Sequence, residues 1–221
     1  MYRAKFKAVL FDLDGTLLDT APDFTTATNK LLLQNNLTEI EEEKIRQLIS
    51  DGSAGIVSSI FNIKSNHPLY EKTRQDLLDY YSQYLTDKTA PFDGIIELLQ
   101  GLDKINVPWG IVTNKPEIYT KAILKEFDYI LSPKIVVCPD HVKHTKPDPE
   151  PILLACKELG VKPKNTVYIG DHIRDIQAGS SAGASTIAAA YGYTEENEDI
   201  SKWNANFIAR QSRDLLKLIL G

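Results

Sequence analysis

Two carboxylates, Asp12 and Asp14, stand two positions apart at the end of the apolar run Ala8-Val9-Leu10-Phe11, and Gly15 and Thr16 follow them. If a β-strand persists through the acids, both point to one face and Leu13 to the other. Such a pair binds a hard divalent cation, or divides the roles of nucleophile and proton donor. The structural alternative is a strand end capped by acids. Gly15 permits the turn that must come next.

Three other groups offer related chemistry. Thr113 and Asn114 close the run Pro108-Trp109-Gly110-Ile111-Val112. Lys146 sits among Pro147, Pro149 and Pro151, whose rings stiffen the backbone carrying its ammonium. Asp171 and Asp175 are four apart, so a helix begun by Ile173 stacks them on one face and makes a magnesium site. Each signal is weak alone. An acid pair at a helix start also serves as capping chemistry, and a loop lysine is ordinarily solvated.

These positions converge only if strand ends share an edge. Short runs at Ala8–Phe11, Pro108–Asn114, Ile135–Cys138, Thr166–Asp171 and Ser185–Ala190 alternate with helical segments at 95–106, 118–127, 149–159 and 173–182. Asp148, Pro149 and Gly160 bracket one of those helices, and Gly183 closes another. Asn206–Ala209 and a last helix to Leu220 complete the pattern. The alternation predicts an α/β fold: a Rossmann-like parallel sheet with helices on both faces, its strand ends sharing the edge where ligands bind.

From Asp23 to about Lys88 the apolar spacing is helical, predicting about four helices inserted after the first strand. Thr20 reads as an N-cap, with Pro22 in the first turn and Asp23 three residues on. The expected division is a core of residues 1–18 and 89–221 and a small α-helical domain of residues 19–88. Ser50-Asp51-Gly52-Ser53 reads as a substrate-facing loop or an ordinary turn, and Tyr80, Tyr81 and Tyr84 as helix packing. Residues 195–199 read as an acidic, solvated loop.

With 43% hydrophobic and 25% charged residues the composition is globular, and a net charge of −5 provides no basic footprint for nucleic acid or an anionic membrane. A small anionic substrate therefore needs local positive charge. The two cysteines, Cys138 and Cys156, lie 18 apart and read as buried free thiols rather than a disulfide or zinc framework. No signal peptide or membrane span is evident, so a cytoplasmic location is expected. No Gly-x-Gly-x-x-Gly follows the first strand, which disfavours dinucleotide chemistry. A zinc pair of His141 and His144 is poorly supported, while His172 adjoins Asp171 and is placed to touch the site.

Taken together, Asp12-Leu13-Asp14-Gly15-Thr16, a strand ending in Thr113-Asn114, Lys146-Pro147, and Gly170-Asp171 followed by Asp175 resemble the haloacid-dehalogenase-like hydrolases over about residues 6–190. The helical insert resembles the α-helical cap of their phosphoglycolate-phosphatase-like branch. Trp109 to Pro116, Cys138 to Lys143, Lys146 to Pro151 and Tyr191-Gly192-Tyr193 further resemble the N-acetylmuramic acid 6-phosphate phosphatases of peptidoglycan recycling. Cys138-Pro139-Asp140 departs from the Gly-Gly-Asp usual in phosphoglycolate phosphatases.

The resemblance implies a Mg2+-dependent phosphatase acting on a small anionic phosphorylated substrate. Asp12 is then the nucleophile, Asp14 the general acid and base, Thr113 and Lys146 the phosphoryl-binding pair with Gly15 and Asn114 beside them, and Asp12, Asp14 (through its backbone carbonyl) and Asp171 the metal ligands, supported by Asp175. Halide departure needs no proton, so Asp14 argues against a dehalogenase. The competing readings are a β-phosphoglucomutase-like phosphomutase using the same residues, and a non-catalytic phosphosugar-binding module.

Overall fold

The computed structural model describes residues 5–128, 130–194 and 198–221. Residues 195–197 of the expected acidic loop lie outside the described residues. Among the described residues the strands are β1 (Ala8–Phe11), β2 (Leu18–Asp19), β3 (Ala90–Pro91), β4 (Trp109–Val112), β5 (Ile135–Val137), β6 (Thr166–Gly170), β7 (Ser185–Ala189) and β8 (Phe207–Ala209). The helices are α1 (Ala21–Gln34), α2 (Glu42–Arg46), α3 (Gly52–Ile60), α4 (Tyr70–Gln83), α5 (Ile95–Lys104), α6 (Glu117–Glu126), α7 (Glu150–Glu158), α8 (Ile173–Ser181) and α9 (Asp214–Leu220). The chain forms two compact units, Met1–Leu18 with Pro91–Gly221, and Asp19–Ala90.

In the first unit six parallel strands run in the order β5-β4-β1-β6-β7-β8. Val9 lies opposite Trp109 on one side and Val167 on the other. The chain fills the sheet outward from β1 through β4 and β5, then returns to β6 and fills the other side. The order thus reverses at β1, the point where open α/β sheets bind ligands at the carboxyl ends of their strands.

Every side chain of β1 is 0% exposed, so both faces of the sheet are covered, as parallel strands require. On one face Leu10, Val112, Val137 and Tyr168 pack with Ile152, Ala155 and Cys156 of α7 and Ala178 of α8. On the other, Phe11 meets Trp109 edge to face, with ring centroids 6.2 Å apart. Both cysteines are buried and unpaired. No helix among the described residues is long and apolar enough to cross a membrane.

Local signals at the helix ends hold to different degrees. Asp148 accepts the Glu150 N–H at 2.9 Å at the start of α7, and Gly160 beyond its end takes φ +66. Thr20 precedes α1 but makes no side-chain capping bond. Asp19 Oδ1 accepts the Ala21 N–H instead, at 3.4 Å. Asp23 is not spent on that helix start. Fully buried, its carboxylate accepts the Lys88 N–H (2.9 Å), the Thr89 N–H (2.8 Å) and the Thr89 hydroxyl (2.7 Å), tying α1 to the segment that ends the second unit.

The stretch 50–53 is not a loop. Ile49–Asp51 is a 3-10 turn that runs into α3 at Gly52, and Ser53 accepts a bond from Arg74 Nε of α4 at 3.0 Å. Of the two readings the turn holds at Ser50 and Asp51, while Gly52 and Ser53 open α3. Tyr81 is buried and stacks on Phe24 with centroids 3.7 Å apart, so this member of the tyrosine run serves packing.

Candidate active site

β1 stops at Phe11, one residue before the first acid. Asp12 keeps one ladder bond, from its N–H to the Ile169 carbonyl at 2.8 Å. The chain then folds on itself: the Leu13 carbonyl accepts the N–H groups of Leu17 and Leu18 at 3.0 Å each, and the Gly15 N–H reaches the Leu18 carbonyl at 2.9 Å. Asp14 lies inside this turn. The two carboxylates are therefore placed by a turn rather than by strand alternation, and each meets a different cation.

Asp12 Oδ1 accepts the Leu13 N–H at 2.8 Å and pairs with Lys146 Nζ at 3.0 Å. Among the described residues no donor reaches its Oδ2, so one oxygen is anchored while the other is presented. Asp14 Oδ1 pairs with Lys115 Nζ at 2.9 Å. Lys115 belongs to the Thr113-Asn114-Lys115-Pro116 turn after β4, and its place in that run was the only sequence signal for it.

Lys146 is 3% exposed and fully coordinated. Its Nζ reaches Asp175 Oδ1 at 2.7 Å, the Tyr168 hydroxyl at 2.9 Å, Asp12 Oδ1 at 3.0 Å and the Val112 carbonyl at 3.2 Å. Burial works to lower the ammonium, but Asp12 and Asp175 outweigh it and raise its pKa. The ammonium is thus held charged in an apolar interior, the condition under which a buried cation persists. Its backbone is equally fixed: Asn114 donates Nδ2–H to the Lys146 carbonyl at 3.0 Å and accepts the Lys146 N–H on Oδ1 at 3.2 Å. The Asn114 carboxamide is spent on aiming the lysine.

Tyr168 was legible in the sequence only as an apolar strand residue. Its hydroxyl lies 2.8 Å from the Val112 carbonyl and 3.1 Å from Asp175 Oδ1 while accepting from Lys146. Burial pushes the phenol well above its ordinary range, so it remains a hydroxyl donor. Thr113, at the end of β4, accepts the Lys115 N–H on Oγ1 at 3.1 Å, which leaves its proton to be donated elsewhere.

Asp171 and Asp175 enter from the β6–α8 junction. The Asp175 carboxylate is fully buried and completes a capping box, with Oδ2 accepting the His172 N–H at 3.1 Å. His172 accepts the Arg174 N–H on Nδ1 at 3.1 Å, so it caps α8. Asp171 is 2% exposed, with Oδ2 accepting the Tyr193 N–H at 2.8 Å and Oδ1 the Thr16 hydroxyl at 3.4 Å. Two glycines make room for it. Gly15 takes φ +73, and a methyl there would overlap the Asp171 carboxylate; a methyl on Gly192 would overlap both the Gly15 carbonyl and Asp171 Cβ.

Asp12, Asp171 and Asp175 bring carboxylate oxygens within 4.8 Å of one another. Burial, with the nearby Asp175 and Asp14 charges, pushes Asp12 up to about 6 despite Lys146. Burial, followed by the charges of Asp12 and Asp175, raises Asp171 well above the usual carboxylate range. Hard oxygen donors crowded at this cost suit a small divalent cation, which favours their anions. A second group of potential ligands, His144, Asp148 and Glu150, closes a turn: Glu150 accepts the N–H groups of Lys143 and His144 at 3.1 and 2.9 Å. His141 pairs with Glu117 at 2.8 Å rather than with His144.

A parallel sheet that reverses at β1, with acids, a threonine and a lysine at the ends of neighbouring strands, defines a Rossmann-like hydrolase core. The chain belongs to the haloacid dehalogenase-like hydrolase family, whose model matches residues 9–189. It is 41% identical to an N-acetylmuramic acid 6-phosphate phosphatase of Pseudomonas aeruginosa, over 99% of this chain and 97% of that one. It is 34% identical to a phosphoglycolate phosphatase of Xylella fastidiosa, over 93% of this chain and 89% of that one. A crystal structure of a predicted phosphoglycolate phosphatase from Haemophilus somnus is similar with a TM-score of 0.82 and 26% identity, covering 97% of this chain and 98% of the other. The enzyme class is that of a phosphoric monoester hydrolase.

Proposed function

We propose that this protein is a cytoplasmic, magnesium-dependent phosphatase that hydrolyses N-acetylmuramic acid 6-phosphate through an aspartyl-phosphate on Asp12. The observation that carries the reaction is the Asp12 carboxylate, with Oδ1 anchored by Leu13 N–H and Lys146 and Oδ2 presented. The 41% identity to the Pseudomonas aeruginosa relative, against 34% to the Xylella fastidiosa phosphatase, supports the choice of substrate.

In this reading Asp12 Oδ2 attacks phosphorus and the bond to the sugar oxygen breaks. Lys146 balances charge on the phosphoryl oxygens, and the Thr113 hydroxyl donates to one of them. Asp14 gives its proton to the departing sugar oxygen, then takes one from the water that attacks phosphorus and frees Asp12. Asp12 and Asp171, with the backbone carbonyl of Asp14, would hold a magnesium ion, and Asp175 would support them. That ion, when bound, would supply positive charge that offsets the repulsion between carboxylate and phosphate dianion.

The Asp12→Asn variant is expected to lose phosphate release by about 10⁴-fold or more with its circular dichroism unchanged. Turnover at the wild-type rate overturns the nucleophile assignment. On the wild-type enzyme, kcat/KM is expected to rank N-acetylmuramic acid 6-phosphate above 2-phosphoglycolate and simple hexose phosphates. A preference for 2-phosphoglycolate by orders of magnitude overturns the substrate, and isomerised sugar phosphate without free phosphate overturns the reaction.

A further inference from the structure

Lys115 has no part in the reaction proposed above, yet it is the more telling of the two buried cations among the described residues. Its side chain is 5% exposed and its Nζ meets Asp14 Oδ1 at 2.9 Å. The backbone behind it is pinned on both sides. The Lys115 N–H donates to Thr113 Oγ1 at 3.1 Å, and the fully buried Thr120 hydroxyl donates to the Lys115 carbonyl at 3.2 Å. An ammonium delivered from so constrained a backbone to a carboxylate on a glycine turn fixes the orientation of that carboxylate. Lys146 takes Asp12 and Lys115 takes Asp14, so each acid has a cation from a different strand end.

We propose that Lys115 is a positioning residue for Asp14 in the second half of the reaction, the hydrolysis of phosphorylated Asp12. The inference rests on the aspartyl-phosphate route above. In that step water attacks phosphorus, the bond from phosphorus to Asp12 breaks, and one water proton passes to Asp14. Asp14 must be a carboxylate there, which is the form Lys115 grips. Holding one oxygen of the base restricts the rotation of Asp14 on its turn and directs the carboxylate at the incoming water. The first transfer asks for the opposite form of Asp14, and for a substrate whose leaving group departs as a stable anion it asks nothing of Asp14.

That difference sets the test. Lys115→Met is mixed rapidly with p-nitrophenyl phosphate in saturating magnesium chloride at mildly alkaline pH, where nitrophenolate leaves without a proton. The expected result is a burst of about one nitrophenolate per enzyme molecule at the wild-type rate, followed by steady turnover slowed about 10²-fold, the low end of what a general base supplies. KM falls with kcat, so kcat/KM stays near wild type, and acid quenching traps phosphorylated protein. Lys115→Arg, which keeps a cation, restores most of the steady rate. Lys115→Gln is run alongside, so that misfolding of the methionine variant leaves the readouts intact. Wild-type steady turnover in the neutral variants overturns the inference, and so does loss of the burst together with turnover. Absence of nitrophenolate release by the wild-type enzyme would instead overturn the phosphatase reading, and this inference with it.

Discussion

At Tyr168 a single hydroxyl joins the sheet to the chemistry. It lies against the Val112 carbonyl, Asp175 and Lys146 at 2.8, 3.1 and 2.9 Å. Tyr168→Phe keeps the ring in the core but withdraws one partner from each of three buried polar groups. The expected cost is about 1–3 kcal/mol, read as a lower urea midpoint. Because the Lys146 ammonium then loses one of its fixed neighbours, kcat/KM is expected to fall about tenfold, equivalent to about 1.4 kcal/mol of transition-state stabilisation. Asn114 shows the limit of reading single residues. Its position beside Thr113 suggested phosphate, whereas both edges of its carboxamide are bonded to the Lys146 backbone. A polar side chain at a strand end announces that it needs partners, but spacing in the chain does not say whether they belong to a ligand or to another loop.

Among the elements, α1 carries the clearest lesson. Its start follows from Pro22 in the first turn, yet its first-turn acid serves a segment 65 and 66 residues further along the chain. Asp23→Ala leaves the Lys88 and Thr89 N–H groups and the Thr89 hydroxyl without their buried acceptor. A destabilisation of about 2–3 kcal/mol is expected, since these donors were satisfied by a charged group. Urea denaturation of the variant measures it, and a change below about 0.5 kcal/mol, the scale of an ordinary surface substitution, contradicts it. The α8 start behaves as its residues suggest, because the His172 and Asp175 bonds that form its cap are local. The starts of α7 and α8 were legible because donor and acceptor lie within a turn of each other, whereas the equally local Thr20 makes no capping bond.

For the molecule as a whole, a net charge of −5 sits uneasily with an anionic substrate until Lys146 and Lys115 are seen converging on the two opening acids. Three carboxylates, those of Asp12, Asp171 and Asp175, still share that region, and their mutual repulsion is a standing cost to the metal-free fold. Magnesium chloride at about 100 times its Kd is therefore expected to stabilise the wild-type protein by about 2.7 kcal/mol, with the melting temperature as readout. Chelation reverses the gain. Asp171→Asn is expected to melt higher than the wild type without metal and to gain little when magnesium is added. An equal magnesium shift in the variant would remove Asp171 from the ligand set.

The sequence by itself determined the architecture and the candidates. Apolar runs alternating with helical segments are enough to specify a parallel sheet, because a strand buried on both faces has little choice of neighbours. The motif residues were visible because glycine, paired acids and a proline-flanked lysine are costly to place without purpose. Only the tertiary structure decided how the work is divided. It ended β1 before Asp12, moved Asp14 into a turn, gave each acid its own lysine, spent Asn114 on the backbone of one of them and drew in Tyr168 from the core. Those pairings join residues 22 to 134 positions apart in the chain. The physical reason is that a buried charge or hydroxyl must find its partner in space, and spacing along the chain records periodicity but not proximity.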